Sequence, residues 1–445
     1  MRLAWFSPMP PVRSGISVDS HELITRLRTE HAIDVFVDDR NLASAPGHPP
    51  LRSAHEFVWA HQQRPYDLTI YQLGNSSHHD FIWPYLFRYP GLTVLHDARL
   101  HHARAAMLLR RTRDAEYRAE FVANHPEIDA DAAELAVAGF DSFLYYEWPF
   151  TRLVCSASRM TAVHSRLTCN QLRSELPGAA IEHLRLGHGI FVAPDEVAVR
   201  RTRARRRYGI PDSALLFGMF GGVTPDKRVP QILAAFELVL RYAPSAWLLL
   251  GGQAEHCDAS GEIRRRGLQS CVTLTGYLET EDELTDCIAA SDVTLTLRWP
   301  TAREISGVWL RCLAAGRPTI VIDLAQTADV PSLDPRIWQT HAREGEAPVT
   351  VAIDILDEDH SLRVAMRRLA ADRALRDALG TAGREYWTRQ HSHEVMIEDY
   401  RRLLPAAAFA PVPKTTVPAH LKDDTGGLLA AILGRFGVSV PWSKM

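Results

Sequence analysis

Residues 298–318 read RWPTAREISGVWLRCLAAGRP, and this stretch decides the reading of the chain. An apolar strand over 293–297 ends in a polar turn that carries one carboxylate, Glu304. Ser306-Gly307 then opens a helix that runs to Gly316 and stops at Pro318. A helix N-terminus offers unpaired N–H groups and a partial positive charge, so the N–H groups of Ser306, Gly307 and Val308 suit a phosphate. Glu304, just upstream, can accept hydrogen bonds from sugar hydroxyls on the same ligand. The pairing fits a nucleotide-diphosphate sugar; an ordinary strand–turn–helix with an exposed Glu is the alternative.

Outward from this segment, short apolar strands alternate with helical stretches, the pattern of parallel sheets wrapped by helices. In the first half the strands fall at 3–6, 33–36, 68–72, 92–96, 160–163 and 182–186, with residues 103–150 an amphipathic helical insertion. In the second half they fall at 215–220, 246–250, 272–274, 293–297 and 319–322, with helices at 229–242 and 281–290. With 445 residues the chain exceeds one comfortable core, and two α/β domains are expected. The boundaries predicted are 1–190 and 191–385, then a helix over 386–405 that crosses back to the first domain, and a flexible Ala/Pro-rich tail over 406–445. Within that tail, residues 428–436 suit a short amphipathic helix. In open parallel sheets ligands sit at the carboxyl ends of strands, so the loops after Phe6, His96, Phe220 and Leu297 are where chemistry is sought.

Two of those loops are informative. The segment 217–228, FGMFGGVTPDKR, joins a buried strand to a helix through a glycine turn. Gly222 lets the backbone approach a diphosphate, and Lys227 brings positive charge; the GK[ST] ending of a Walker loop is absent, and a glycine turn with a solvated Lys is the alternative. The segment 94–102, VLHDARLHH, places His96 at a strand end with Asp97 beside it to orient it. Its three histidines admit an active-site role for His96, a structural cluster or a metal. The spacing matches no closed zinc pattern and no Cys helps, so no metal site is predicted.

Composition is that of an ordinary soluble protein, 46% hydrophobic and 23% charged with net charge −3, which argues against a general polyanion binder. The basic run at 200–207, RRTRARRR, reads as a solvated helix face rather than a nucleic-acid surface. Arg104, Arg110, Arg111 and Arg113 on an amphipathic helix make either a plain surface or a contact with anionic lipid. The six cysteines show no CxxC pairing and read as reduced thiols. No tripartite leader and no run of roughly 18–20 apolar residues is seen, so a cytoplasmic protein is expected, with peripheral membrane contact allowed.

Taken in order, PPVRSGIS, YDLTIYQLGNSSHH, VLHD, FGMFGGVTPDKR, VTLTGYL and PTAREISGVWLRCLAAGRP resemble the retaining glycosyltransferases of family 4, with the two-Rossmann-domain GT-B architecture. The resemblance covers nearly everything to about residue 404. It implies transfer of a hexosyl group, with retention, from a nucleotide-diphosphate sugar to a glycan, lipid-linked or cell-envelope acceptor, without a metal or other cofactor. The donor would lie between the two domains, mostly against the second. By position, Gly15 would approach the diphosphate, His96 the donor sugar and Lys227 the leaving group; Glu304 would hold sugar hydroxyls, and the base would pack near Tyr277 and Leu278. The family often carries an Arg where Gly222 stands, and a second Glu, thought to grip ribose, where Cys312 or Arg311 stands. A catalytically silent nucleotide-sugar-binding or assembly subunit is the alternative from another class, and a non-transferase enzyme of this architecture a third.

Overall fold

The computed structural model describes residues 1–39, 50–140, 144–341, 345–422 and 432–438. The chain divides into two compact units, one of residues 1–164, 169–183 and those from Tyr400 on, the other of residues 165–168 and 184–399.

The first unit is built on seven strands: β1 (Arg2–Phe6), β2 (Ala32–Val37), β3 (Leu51–Ser53), β4 (Leu68–Leu73), β5 (Leu92–Leu95), β6 (Met160–Val163) and β7 (Ile181–His183). They lie in the order β3-β2-β1-β4-β5-β6-β7, and every pairing is parallel. Every residue of β4, β5 and β6 is buried, as a sheet covered on both faces requires. The order reverses between β1 and β4, so the loops leaving these strands open a crevice at the sheet's carboxyl edge. There the structure presses Gly74 against the first turn of the helix that follows β1, Gly15–Leu27: a Cβ on it would stand 2.6 Å from Ile16 Cδ1.

The second unit carries eight strands: β8 (Leu216–Phe220), β9 (Trp247–Gly251), β10 (Val272–Leu274), β11 (Val293–Leu295), β12 (Thr319–Ile322), β13 (Ser332–Asp334), β14 (Gln339–His341) and β15 (Thr350–Ile353). Their order is β10-β9-β8-β11-β12-β15-β13-β14, parallel except for the β13–β14 pair. The switch point lies between β8 and β11, and the two loops that leave it are the Lys227 and Glu304 segments.

Several expectations change. The predicted helix over 386–405 is two helices, Arg373–Gln390 and His393–Phe409. They break at His391, whose carbonyl accepts from the His188 N–H (3.2 Å) and whose Nδ1 bonds the Leu186 carbonyl (2.9 Å). Asp399 grips Arg185 through both oxygens (2.8 and 2.9 Å). These bonds hold residues 184–189 in the second unit, ahead of the junction read at 190. The tail does not begin as a free linker, since Leu421 is buried in the first unit's core and His420 Nε2 bonds Glu120 (2.7 Å). Of the candidate helix at 428–436, residues 428–431 lie outside the described residues.

The basic run is a solvated face only in part: Thr202, Arg203, Arg206 and Arg207 are exposed, whereas Arg200 and Arg205 are buried. It forms the end of the helix Pro194–Arg207, which packs along Glu281–Ala290. Arg200 bonds Glu196 (2.7 Å) and Asp286 (2.9 Å), while the fully buried Arg205 bonds Asp292 (2.9 Å) and the Pro211 and Ala214 carbonyls. Among the described residues the insertion after His101 is four short α-helices and one 3-10 turn, and Arg104 is buried on Glu120 (2.7 Å) rather than turned to solvent.

Candidate functional site

Lys227 sits at the end of the β8 loop, on the short 3-10 turn Pro225–Lys227. Its side chain is buried, and among the described residues no group accepts a hydrogen bond from its Nζ. Burial pushes this amine down to about 7, and the positive charge of Arg298 pushes the same way against the pull of Asp226, Glu304 and Cys312. A buried ammonium with no bonded counter-ion is a group built to meet an anion.

The glycine turn beside it is tight. A Cβ on Gly252 would lie 1.9 Å from the Gly221 carbonyl oxygen, and Gly221 itself has φ +92. Gly222 is different: a Cβ there would meet only Thr224 at 3.6 Å, so packing within the chain does not require glycine at 222. Leu278, after β10, approaches Gly251 and belongs to the same core as Val308, whereas Tyr277 is 41% exposed.

The helix Gly307–Ala314 begins as the sequence predicts. Ser306 caps it, its Oγ accepting from the Trp309 N–H (3.3 Å), and the N–H groups of Gly307 and Val308 have no carbonyl of their own helix to bond. Gly307 is needed here, because a Cβ would strike the ring of the buried His188 at 2.9 Å. Val308 closes on the turn, with its Cγ2 3.6 Å from where a Gly221 Cβ would be.

Glu304 is not the free carboxylate expected. One oxygen is bonded by Arg298 and the other accepts from Thr301 Oγ1 (2.7 Å). Arg298 also reaches Asp226 (3.2 Å), so it ties the β8 and β11 loops together beside Lys227. Sequence reasoning missed Arg298, although it is the second cation of the site; the signal was its place just past the end of β11.

Where a second Glu was sought, Cys312 is fully buried, and burial pushes its thiol up to about 12. Arg311 points the other way. It bonds the Glu281 carboxylate, and its Nε donates to His188 Nε2 (2.8 Å), which makes that nitrogen the acceptor of the ring. The carboxylate on this side of the helix is therefore Glu281, at the start of Glu281–Ala290 and three residues beyond Leu278.

The first unit holds a separate group of residues. His96 follows β5, and its ring nitrogens are held by Gln72 Oε1 (2.7 Å) and His164 Nε2 (3.3 Å). Gln72 is buried at the end of β4 and its amide bonds the hydroxyl of the buried Tyr400 (3.0 Å). Because an amide oxygen only accepts, His96 donates from Nε2, while its Nδ1 faces His164 Nε2. Asp97, the next residue, accepts the Asn75 backbone N–H (2.6 Å). Gly15 opens the helix Gly15–Leu27, and among the described residues nothing beyond its chain neighbours and its own helix lies within 4 Å of a Cβ built on it, so packing does not explain a glycine there.

The three histidines of the 94–102 segment do not converge. His101 is buried against Phe150 (rings 4.0 Å apart), bonds Tyr117 (2.8 Å) and is pushed down to about 3 by burial, while His102 is exposed beside Tyr145. Among the described residues no group of three or more His, Cys, Asp or Glu is placed to hold a metal ion. No described helix is long and apolar enough to cross a membrane.

Two parallel α/β units of this topology define the GT-B fold. Residues 214–335 match the family model "Glycosyl transferases group 1". The sucrose-phosphate synthase of Thermosynechococcus elongatus superimposes over 91% of this chain and 100% of its own, with TM-score 0.63 and 16% identity. Anabaena Alr3699/HepE, solved in complex with UDP and glucose, does so over 91% and 100%, with TM-score 0.58 and 13% identity. WaaG, a glycosyltransferase involved in lipopolysaccharide biosynthesis, covers 90% and 99%, with TM-score 0.59 and 15% identity. Alpha-D-kanosaminyltransferase from Streptomyces kanamyceticus is 28% identical over 154 residues, 34% of this chain. The match spans 39% of that protein's length.

Proposed function

We propose that this chain is a glycosyltransferase that takes a hexosyl group from a nucleotide-diphosphate sugar and retains the anomeric configuration. The observation that carries this reading is Lys227, a buried amine with no bonded counter-ion, set beside a glycine turn and an open helix N-terminus at the switch point of the second sheet. In the reaction the bond from the anomeric carbon to the diphosphate breaks and the diphosphate leaves with the electron pair. Lys227 and the N–H groups of Gly307 and Val308 neutralise that charge, so no metal is needed. The acceptor hydroxyl bonds the anomeric carbon and gives up its proton to an oxygen of the departing diphosphate. Tyr277 and Leu278 flank the base, and Glu281, steadied by Arg311, supplies the carboxylate near the ribose. The sequence resemblance assigns His96 to the transferred sugar.

The match of residues 214–335 to the group 1 transferases supports the class, and the Anabaena neighbour's UDP complex supports a nucleotide donor. The acceptor we propose is a glycan, lipid-linked or cell-envelope molecule, reached in the cytoplasm or at the membrane's inner face; WaaG supports that choice. A second reading, a silent nucleotide-sugar-binding subunit, is favoured by one observation, the capture of both Glu304 oxygens by Arg298 and Thr301.

The test is a thermal-shift panel of UDP, GDP and ADP sugars followed by donor hydrolysis, on the wild type, His96→Ala and Glu304→Ala. A ligand at ~100 times its dissociation constant stabilises a fold by roughly 2.7 kcal/mol, a readable shift. The transferase reading expects stabilisation by one nucleotide class, sugar release, and at least ~10²-fold loss of turnover in each variant. Tight binding without release on any acceptor establishes the silent subunit instead.

A further inference from the structure

At the opposite edge of the second sheet lies a cavity of about 740 Å³, lined by the residues that enter β8 (Ser213, Ala214, Leu215) and β12 (Gly316, Arg317, Pro318). The candidate donor site is at the carboxyl ends of these strands, so the cavity is a different place. Five arginines line it: Arg201, Arg317, Arg373, Arg376 and Arg384.

Much of their hydrogen bonding goes to helix C-termini. Arg384 donates to the Ala314 and Ala315 carbonyls (3.4 and 3.0 Å), Arg317 to Ala315 and Ser291 (both 3.2 Å), and Arg376 to Leu369 and Ala370 (2.6 and 3.1 Å). Three helices thus end here, and capping their carbonyls is a structural use for these side chains. It does not exhaust them. Each guanidinium has five N–H donors, and these carbonyl bonds occupy one or two nitrogens of each. Carbonyls offset charge only partially, and two carboxylates face the five cations: Asp292, bonded by Arg201 (2.8 Å), and Asp377, 3.6 Å from Arg373. Burial and the like charges of Arg201 and Arg384 push Arg317 down to about 10, against the pull of Asp292 and Asp377. Gly316 makes the crowding feasible, since a Cβ on it would strike the Arg384 guanidinium at 2.6 Å.

We infer that this cavity binds a small phosphorylated ligand, held by bidentate arginine contacts, at a site separate from the nucleotide donor. Planar guanidinium forks match phosphate oxygens in pairs, and a net positive, polar cavity of this size has room for a phosphate ester.

The test titrates inorganic pyrophosphate into the full chain by calorimetry at low ionic strength. Three variants are compared with the wild type: Arg373→Gln/Arg376→Gln, Arg373→Lys/Arg376→Lys and Lys227→Met. The inference expects binding in the wild type that survives Lys227→Met, weakens at least ~10-fold in the Gln pair and weakens less in the Lys pair, which keeps the charge but loses the planar fork. The exposed Arg373, which bonds no carbonyl among the described residues, is also replaced alone by Gln, so that a misfolded double variant leaves the test intact. No heat in the wild type overturns the inference. So does binding that Lys227→Met abolishes, or that both Gln variants leave unchanged.

Discussion

Lys227 gives the sharpest prediction. Its amine titrates near 7 in the ligand-free protein, far below the ordinary lysine value of 10.5. At pH 7 about half the molecules carry the charge there, at pH 8 roughly a tenth, and at pH 9 about a hundredth. A diphosphate selects the charged form, so its apparent dissociation constant rises roughly fivefold from pH 7 to 8 and about tenfold over the next unit. Binding takes up about half a proton at pH 7 and about 0.9 at pH 8. Calorimetry with UDP in two buffers of different ionisation enthalpy counts these protons. Lys227→Arg, charged throughout, removes the uptake and flattens the profile. The same group marks the stability of the free protein. Its folded value is depressed, so between pH 7 and 10.5 the unfolded chain holds the extra proton, and folding stability rises with pH across that window. The rise is roughly 5 kcal/mol at most and is lost as pH falls to 7. Urea unfolding at pH 7 and 9 reads it, with Lys227→Met as the flat reference. A wild-type UDP affinity that does not change with pH, or a slope that persists in Lys227→Arg, refutes the reasoning.

Three further expectations follow from the contacts. Arg298→Gln removes the cation that ties Glu304 to Asp226 and the like charge beside Lys227. The midpoint of the UDP pH profile then moves up, and donor turnover falls by ~10–10²-fold, both measurable on one preparation. Gln72→Leu takes away the acceptor that fixes the His96 proton on Nε2. Turnover is expected to drop about tenfold and its pH profile to shift while the melting temperature holds within a few degrees; an unchanged profile removes Gln72 from the positioning of His96. Arg205→Met leaves Asp292 and the Pro211, Ala214 and Ala290 carbonyls without their buried donor, and urea denaturation should show a loss of about 3 kcal/mol.

What the sequence made legible and what it hid divide along a physical line. Strands such as Met160–Val163 and Thr319–Ile322, and the helix Glu281–Ala290, fell where read, because each is a local pattern: a buried apolar run, or a capped amphipathic stretch. The three-residue strands Leu51–Ser53 and Ser332–Asp334 are too short to show a period, and their pairing decides them. The arginines of 200–207 looked solvated because their acids lie about 80 residues away, at Asp282, Asp286 and Asp292. The same distance rule governs the site. Lys227 and the Ser306 cap were visible from neighbours in the chain, since a glycine turn and an N-cap are local devices. Their electrostatic state was not. The depressed Lys227, the engaged Glu304 and the Arg311–Glu281 pair each depend on a partner from another loop or helix. Gln72 shows the same rule for His96, since this partner comes from the neighbouring strand and not from the adjacent chain. In a parallel α/β unit, successive strand ends bring such residues to one edge. Reading the site therefore means asking which charged residues follow each strand, and Arg298 is found by that question alone.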